Sequence, residues 1–208
     1  VGSEMCIRDS GHIMHNLSHE NLMRAGDIVV NDCGAESVMH YAADITRSFP
    51  VSGRFTQRQK EIYSLVFEAQ QKALEAIRPG VQYRDIHFLT CTHLAAGLKS
   101  LGLMKGDVHE AVAAGAHALF MPHGLGHMLG LDVHDMESLG EDYVGYTDTI
   151  RRSEQFGLRQ LRLARALEPG FVVTVEPGLY FIPELIDRWK AEGKFEEFIV
   201  YPKVETYR

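Results

Sequence analysis

Apolar positions along the chain recur with two periods. From Thr56 to Ile77 they fall at Ile62, Leu65, Val66, Ala69, Ala73 and Ile77, the spacing of a helix with one buried face, and Pro79-Gly80 ends it. Asp85 to Leu101 repeats the pattern through Ile86, Leu89, His93, Leu94, Leu98 and Leu101 and predicts a second helix. His87 and His93 on it are read as helix-surface or core-edge residues without a chemical role. Asp107-Val108-His109-Glu110 has the form of a capping box opening a short Ala-rich helix to about Gly115. A further helix is predicted from Ser153 to Leu167. With Arg151 and Arg152 just before it, it carries five arginines, read as a solvated face. The acidic stretch Glu137 to Asp148 is read as a solvated loop.

Four runs are apolar, aromatic or β-branched in the manner of strands: Asp27 to Asp32, Tyr41 to Phe49, Gly170 to Phe181 and Phe198 to Tyr201. The last follows a charged, partly helical excursion from Trp189. The first two are joined through Gly34 to Ser37, and Pro50 and Gly53 end the second, so they predict a hairpin. If its arms pair symmetrically about residue 38, Asp32 and Asp44 stand directly opposite each other on one face. Two such carboxylates repel unless a cation lies between them; two exposed strand-end acids are the plainer alternative. The first and third runs also match one another. Gly26, Asp32 and Gly34 are spaced as Gly170, Glu176 and Gly178, which predicts an internal repeat offering one carboxylate per half.

Composition narrows the function. The 208 residues suit one sizeable domain, and 45% hydrophobic with 24% charged residues is an ordinary globular mix. A formal net charge of -7 argues against nucleic-acid binding, and no run of about twenty apolar residues exists to span a membrane. Three scattered cysteines, Cys6, Cys33 and Cys91, point to free thiols in a reducing, cytoplasmic compartment. Residues 1–10 show no periodicity, and Met5 to Ser10 resembles a translated adapter remnant; they are expected to be a non-native extension. Residues 11–208 are then expected to be an incomplete catalytic domain, because the chain stops at Arg208 within a segment that reads as structured.

The stretch Pro122 to Asp135 carries three histidines, His123, His127 and His134, two aspartates, Asp132 and Asp135, and glycines at 124, 126 and 130. The glycines disfavour a helix, so a bent segment aiming imidazoles at one point is expected. A glycine-rich turn with solvated histidines is the plainer reading of any one of them. Asp32, Asp44, His127 and Glu176 all lie within or beside strand-like runs. Three carboxylates and one imidazole suit manganese and tolerate cobalt, iron or zinc. Two ions roughly 3.5–4 Å apart, sharing such carboxylates, can hold a hydroxide and polarise a carbonyl.

These segments carry a resemblance. Asp32-Cys33-Gly34-Ala35, Asp44 to Pro50, His123-Gly124-Leu125-Gly126-His127 with Gly130 to Asp135, and Thr174-Val175-Glu176-Pro177-Gly178 are similar to the catalytic domain of Xaa-Pro aminopeptidases (aminopeptidase P). That metallopeptidase family has the pita-bread fold, shared with methionine aminopeptidase and prolidase. The resemblance covers residues 11 to 208. It implies an α+β fold of two pseudo-symmetric halves around an antiparallel sheet with outer helices, truncated at the C-terminus. It implies two divalent ions, manganese first, on Asp32, Asp44, His127 and Glu176, with Asp44 bridging. Glu176 would also shuttle a proton to the leaving amine. His15, seventeen residues before Asp32, falls at the family's first active-site histidine, and His123 and His134 match the two that contact the scissile peptide. Asp132 and Asp135 drop to structural roles. The implied reaction is release of an N-terminal residue that precedes proline, by a whole protein that could be a homo-oligomer.

Two departures qualify the match. The aspartates are twelve residues apart, one more than is usual in the family, which predicts a local bulge in the hairpin. The family's fifth ligand, a glutamate in a Gly-[Ile/Val]-Arg-x-Glu strand, has no counterpart, and Glu205 lacks its context. An impaired fragment of an active enzyme is therefore expected. The alternatives are a pita-bread domain kept as a peptide- or protein-binding module, a metal-free hydrolase of the creatinase kind, and an Xaa-Pro dipeptidase.

Overall fold

The computed structural model describes residues 5–8 and 22–208; His15 lies outside the described residues. Strands β1 (Met5–Arg8), β2 (Ile28–Cys33) and β3 (Ile45–Pro50) form an antiparallel sheet in that order. β1 lies within the stretch set apart above and pairs along β2 from Met5 opposite Cys33 to Arg8 opposite Val30. The β2–β3 register runs from Ile28 opposite Pro50 to Cys33 opposite Ile45. The same register resumes beyond the interruption at Gly34 and Asp44, with Ala43 donating to Ala35 at 2.9 Å and Glu36 bridged to Ala42. No residue is inserted, so the expected bulge is absent. The chain turns instead through Val38, Met39 and His40, and His40 takes the left-handed conformation at φ 66° that closes a short hairpin. The hairpin is therefore centred on residue 39. Asp32 faces Thr46, and Asp44 lies diagonally beside it on the same face rather than directly opposite.

Helices α1 (Gln57–Ala76) and α2 (Tyr83–Ser100) follow the periodicity closely. Thr56 and Gln59 form a capping box that fixes the start of α1. Leu65, Ala69 and Ala73 of α1 are buried in one core with Ile86, Leu94 and Leu98 of α2, and Leu65 packs over Gly97. α3 (Val108–Ala114) is capped by Asp107, whose carboxylate accepts from the Glu110 N–H at 2.9 Å. A 3-10 turn, Ala116–Leu119, follows. His87 was expected at a helix surface or core edge but is 1% exposed, in the core beside Cys91. The helical period places residues 87, 91, 94 and 98 on one stripe, and α3 with its 3-10 turn covers that stripe.

The expected helix from Ser153 to Leu167 does not form. Only a 3-10 turn, Leu158–Gln160, is helical there. The rest runs extended between the start of α2 and the short helix α4 (Glu141–Gly145): Ala164 and Arg165 donate to Gly145, and Leu167 and Val81 pair at 2.9 Å. Leu161 and Leu163 are fully buried by this extended path. Nor are its arginines simply solvated. Arg152 bonds Glu141 and Asp142, and Arg162 bonds Glu137 and Glu141, so the acidic loop is held by ion pairs. Tertiary bonds outweigh the modest helical propensity of an isolated segment.

The run from Gly170 to Phe181 is extended without forming a regular strand. It lies antiparallel to residues 120–129 through Leu129 to Val172, Thr174 to His127, Glu176 to Leu125 and Tyr180 to Phe120. α5 (Pro183–Ala191) and α6 (Tyr201–Val204) close the core with Leu185, Ile186, Trp189, Tyr201 and Val204. The expected final strand reduces to a bridge between Met104 and Ile199, and Glu205 beyond it pairs with Lys190 at 2.7 Å.

Candidate metal centre

Three separate segments bring the candidate residues together. The β2–β3 hairpin carries Asp32 and Asp44, the glycine-rich segment carries His127 and His134, and the extended run carries Glu176. The Ala42 N–H donates to the Gly130 carbonyl at 2.8 Å, tying the hairpin to the histidine segment. The Gln70 amide reaches the Val175 carbonyl at 3.0 Å and ties the extended run to α1. Gly126 is needed where two segments touch, because a Cβ there would lie 2.2 Å from the Thr174 carbonyl oxygen. The proposed repeat has a backbone counterpart: Gly26 and Gly170, each six residues before its acid, both turn at positive φ, 107° and 93°.

His127 stands at the centre of the cluster and is 4% exposed. Its Nδ1 lies 2.8 Å from the Met128 carbonyl, which selects the tautomer that donates there. Its Nε2 then points at Asp44 Oδ2, 3.2 Å away, and Glu176 Oε1, 3.3 Å away. Asp44 also lies on the same face of the hairpin as Asp32, diagonally across the strand pair. Asp32 Oδ1 also accepts from the Thr46 hydroxyl at 2.7 Å, the residue opposite it across the hairpin. Three carboxylates and one imidazole lone pair thus converge where only a proton or another cation relieves their mutual repulsion. The donor set fits divalent ions bound by oxygen and nitrogen.

Titration follows this geometry. Burial lowers the His127 imidazole, but the Asp44 bond, the Met128 bond and the nearby carboxylates outweigh it and hold it above its ordinary value. The His127 bond holds Asp44 below the usual carboxylate range against its burial. Burial pushes Glu176 up, opposed by the charge of His127 and the Thr174 hydroxyl.

His134 packs edge-on against His127, with ring centroids 4.4 Å apart. Its pKa is lowered by burial, then by His127 and Arg162. His123 sits further along: its Nδ1 meets the Gly124 carbonyl at 2.7 Å, its ring abuts Tyr180, and its buried Nε2 has no hydrogen-bond partner among the described residues. Burial lowers its pKa. Asp135 serves structure, since Oδ1 accepts from the Leu131 and Asp132 N–H groups at 3.0 and 3.3 Å.

Two supporting residues escaped the sequence reading. The Thr174 hydroxyl accepts from the His127 N–H at 3.0 Å and donates to Glu176 Oε1 at 3.0 Å, so one side chain positions two site residues. The Tyr83 hydroxyl donates to the Thr174 carbonyl. Thr174 had a signal: at two residues before Glu176 in an extended run, it shares that residue's face. Tyr83, at the start of a helix far along the chain, had none.

The chain is similar to known proteins over most of its length. The profile of metallopeptidase family M24 matches residues 3–200. The Xaa-Pro dipeptidase of Homo sapiens is 38% identical over 99% of this chain and 42% of its own length. The Xaa-Pro aminopeptidase of Escherichia coli is 43% identical over 92% of this chain and 40% of its own. Among solved structures, zinc-substituted Escherichia coli aminopeptidase P in complex with product superposes with a TM-score of 0.71 at 42% identity, covering 88% of this chain and 37% of that one.

The chain belongs to metallopeptidase family M24 and has the pita-bread fold expected from its sequence. It spans about two fifths of the length of the curated relatives it matches. Among the described residues, no helix is long and apolar enough to cross a membrane.

Proposed function

We propose that the protein carrying this chain hydrolyses the peptide bond between an N-terminal residue and proline, with divalent ions held by Asp32, Asp44, His127 and Glu176. The observation that carries this reading is the meeting of Asp44 and Glu176 at one imidazole nitrogen, 3.2 and 3.3 Å away. The ions, manganese first by the hardness of the donors, would supply Lewis-acid polarisation of the scissile carbonyl and activation of water. Everything else falls to the chain. Asp44, kept ionised by His127, supplies charge at the centre of the site, and Asp32 is oriented by Thr46. Glu176, raised by burial, takes a proton from the attacking water at its carboxylate and delivers it to the leaving proline nitrogen. Thr174 holds that carboxylate in place. His134 and His123, both biased towards the neutral form, offer hydrogen bonds to the peptide without competing for the carboxylates' charge. His15 is assigned the same kind of contact.

The test uses the full-length protein loaded with Mn2+ and assayed on an Xaa-Pro peptide. Hydrolysis is expected, with a loss of 100-fold or more on Asp44→Asn, about the cost of removing an essential electrostatic group. Folded, metal-loaded protein that leaves such peptides intact overturns the proposal in favour of a binding module. The similarity to an Xaa-Pro dipeptidase supports a second reading: exclusive cleavage of Xaa-Pro dipeptides, with tripeptides spared, assigns that specificity instead.

A further inference from the structure

A second cluster of metal-ligating groups lies in the core, built from a different part of the chain and from softer donors. His87 and Cys91 are one turn apart on α2 and project on the same side. His117, in the 3-10 turn after α3, faces them, with the His87 and His117 rings 6.5 Å apart. One donor atom from each of the three lies within 4.8 Å of the other two. All three side chains are buried, at 1%, 0% and 5% exposure. Cys91 carries a free thiol.

We propose that His87, Cys91 and His117 form a distinct, internal binding site for a single Zn2+ ion. The His87–Cys91 pair already has the spacing of the bound state, and His117, with a donor within 4.8 Å of both, needs only to close in. Bonds of about 2.0–2.1 Å to imidazole and about 2.3 Å to thiolate, at a tetrahedral angle, set nitrogen and sulfur about 3.5 Å apart. His87 Nε2 and Cys91 Sγ are 3.5 Å apart. A His–Cys hydrogen bond satisfies that same pair, but it leaves His117 aside: its buried Nδ1 has no hydrogen-bond partner among the described residues. Leaving such a group unpaired costs about 1–3 kcal/mol, so a core that needed only packing would do better with an apolar residue there. Two imidazoles and one thiolate match Zn2+ and contrast with the carboxylate-rich set at Asp32, Asp44 and Glu176.

The protonation states suit this role. Burial pushes His87 down to about 3 and His117 down to about 4, so both imidazoles are neutral and ready to ligate at pH 7. Burial pushes Cys91 up to about 12, so its thiol keeps its proton until a cation displaces it. Binding therefore breaks one S–H bond, forms one metal–sulfur bond and releases one proton to solvent. Because the cluster is closed to water, the ion enters during folding or through opening of the contact between α2 and the 3-10 turn. Once bound it links those two elements across the core.

Cobalt distinguishes the two sites, since only a thiolate ligand gives an intense near-ultraviolet sulfur-to-cobalt charge-transfer band. Protein refolded with Co2+ is expected to show this band, and Zn2+ is expected to abolish it by replacement. The band should persist in Cys6→Ser/Cys33→Ser of this 208-residue chain, which leaves Cys91 as the one cysteine of the sequence, and be lost in Cys91→Ala. The double-serine protein decides the matter even if Cys91→Ala fails to fold. Cobalt-loaded protein with ligand-field bands and no sulfur band would leave the carboxylate centre standing and overturn this site. A band that disappears with Cys33→Ser would equally overturn it.

Discussion

Lowering the pH from 7 to 5 should destabilise this protein through His87 and His117, and the size of the effect follows from their burial. In the unfolded chain each imidazole titrates near 6.5; in the folded protein burial lowers them to about 3 and about 4, with His117 and His123 further disfavouring charge on His87. Between those values the unfolded chain binds more protons than the folded one, so stability falls as the pH falls. At pH 5 nearly every unfolded molecule carries a proton at each site and few folded ones do. Each histidine then costs about 2 kcal/mol relative to pH 7, a figure set mainly by the unfolded pKa and insensitive to how far below 5 the folded value lies. His127 works in the opposite direction, because its raised value favours the folded state as it protonates. The contribution of one buried histidine is therefore read as a difference. Urea unfolding at pH 7 and pH 5, with chelator present, should show a stability loss about 2 kcal/mol smaller in His117→Asn than in the unaltered protein. Equal losses in the two proteins would refute the reasoning, as would an NMR titration placing the folded His87 and His117 midpoints near 6.5.

Thr174→Val should cost about 1–3 kcal/mol, because it leaves the His127 N–H without its side-chain acceptor and Glu176 without its hydroxyl donor. Isothermal titration with Mn2+ should also show weaker binding, and unchanged affinity would remove Thr174 from the site's support. Gly126→Ala drives a methyl group to 2.2 Å from the Thr174 carbonyl, so about 1–3 kcal/mol of destabilisation is expected on thermal unfolding. Wild-type stability in that variant would show that the two segments can separate freely. Arg162→Met removes a cation that holds His134 down, so the His134 midpoint followed by NMR should rise. A midpoint that stays or falls would exclude that electrostatic link.

Local periodicity and residue chemistry determined much of this protein before any tertiary information. α1 and α2 were legible because a stripe such as Leu65, Ala69 and Ala73 belongs to the helix itself and needs no partner to be recognised. The hairpin was legible for the same reason, and so were the chemical types of Asp32, Asp44, His127 and Glu176. Tertiary structure decided what depends on partners distant in sequence. Whether Asp32 and Asp44 oppose each other or lie diagonally rested on a turn centred on residue 39, a shift of one position that spacing alone does not fix. Ser153 to Leu167 has a pattern a helix could use, yet backbone bonds to Val81, Tyr83 and Gly145 hold it extended, and Glu137 and Glu141 engage Arg162. His87 looked peripheral because helical spacing reveals a face but not what covers it, and only the fold sets His117 against it. The sequence named the residue types of one candidate centre; folding brought Asp44 and Glu176 to one imidazole and assembled a second cluster in the core.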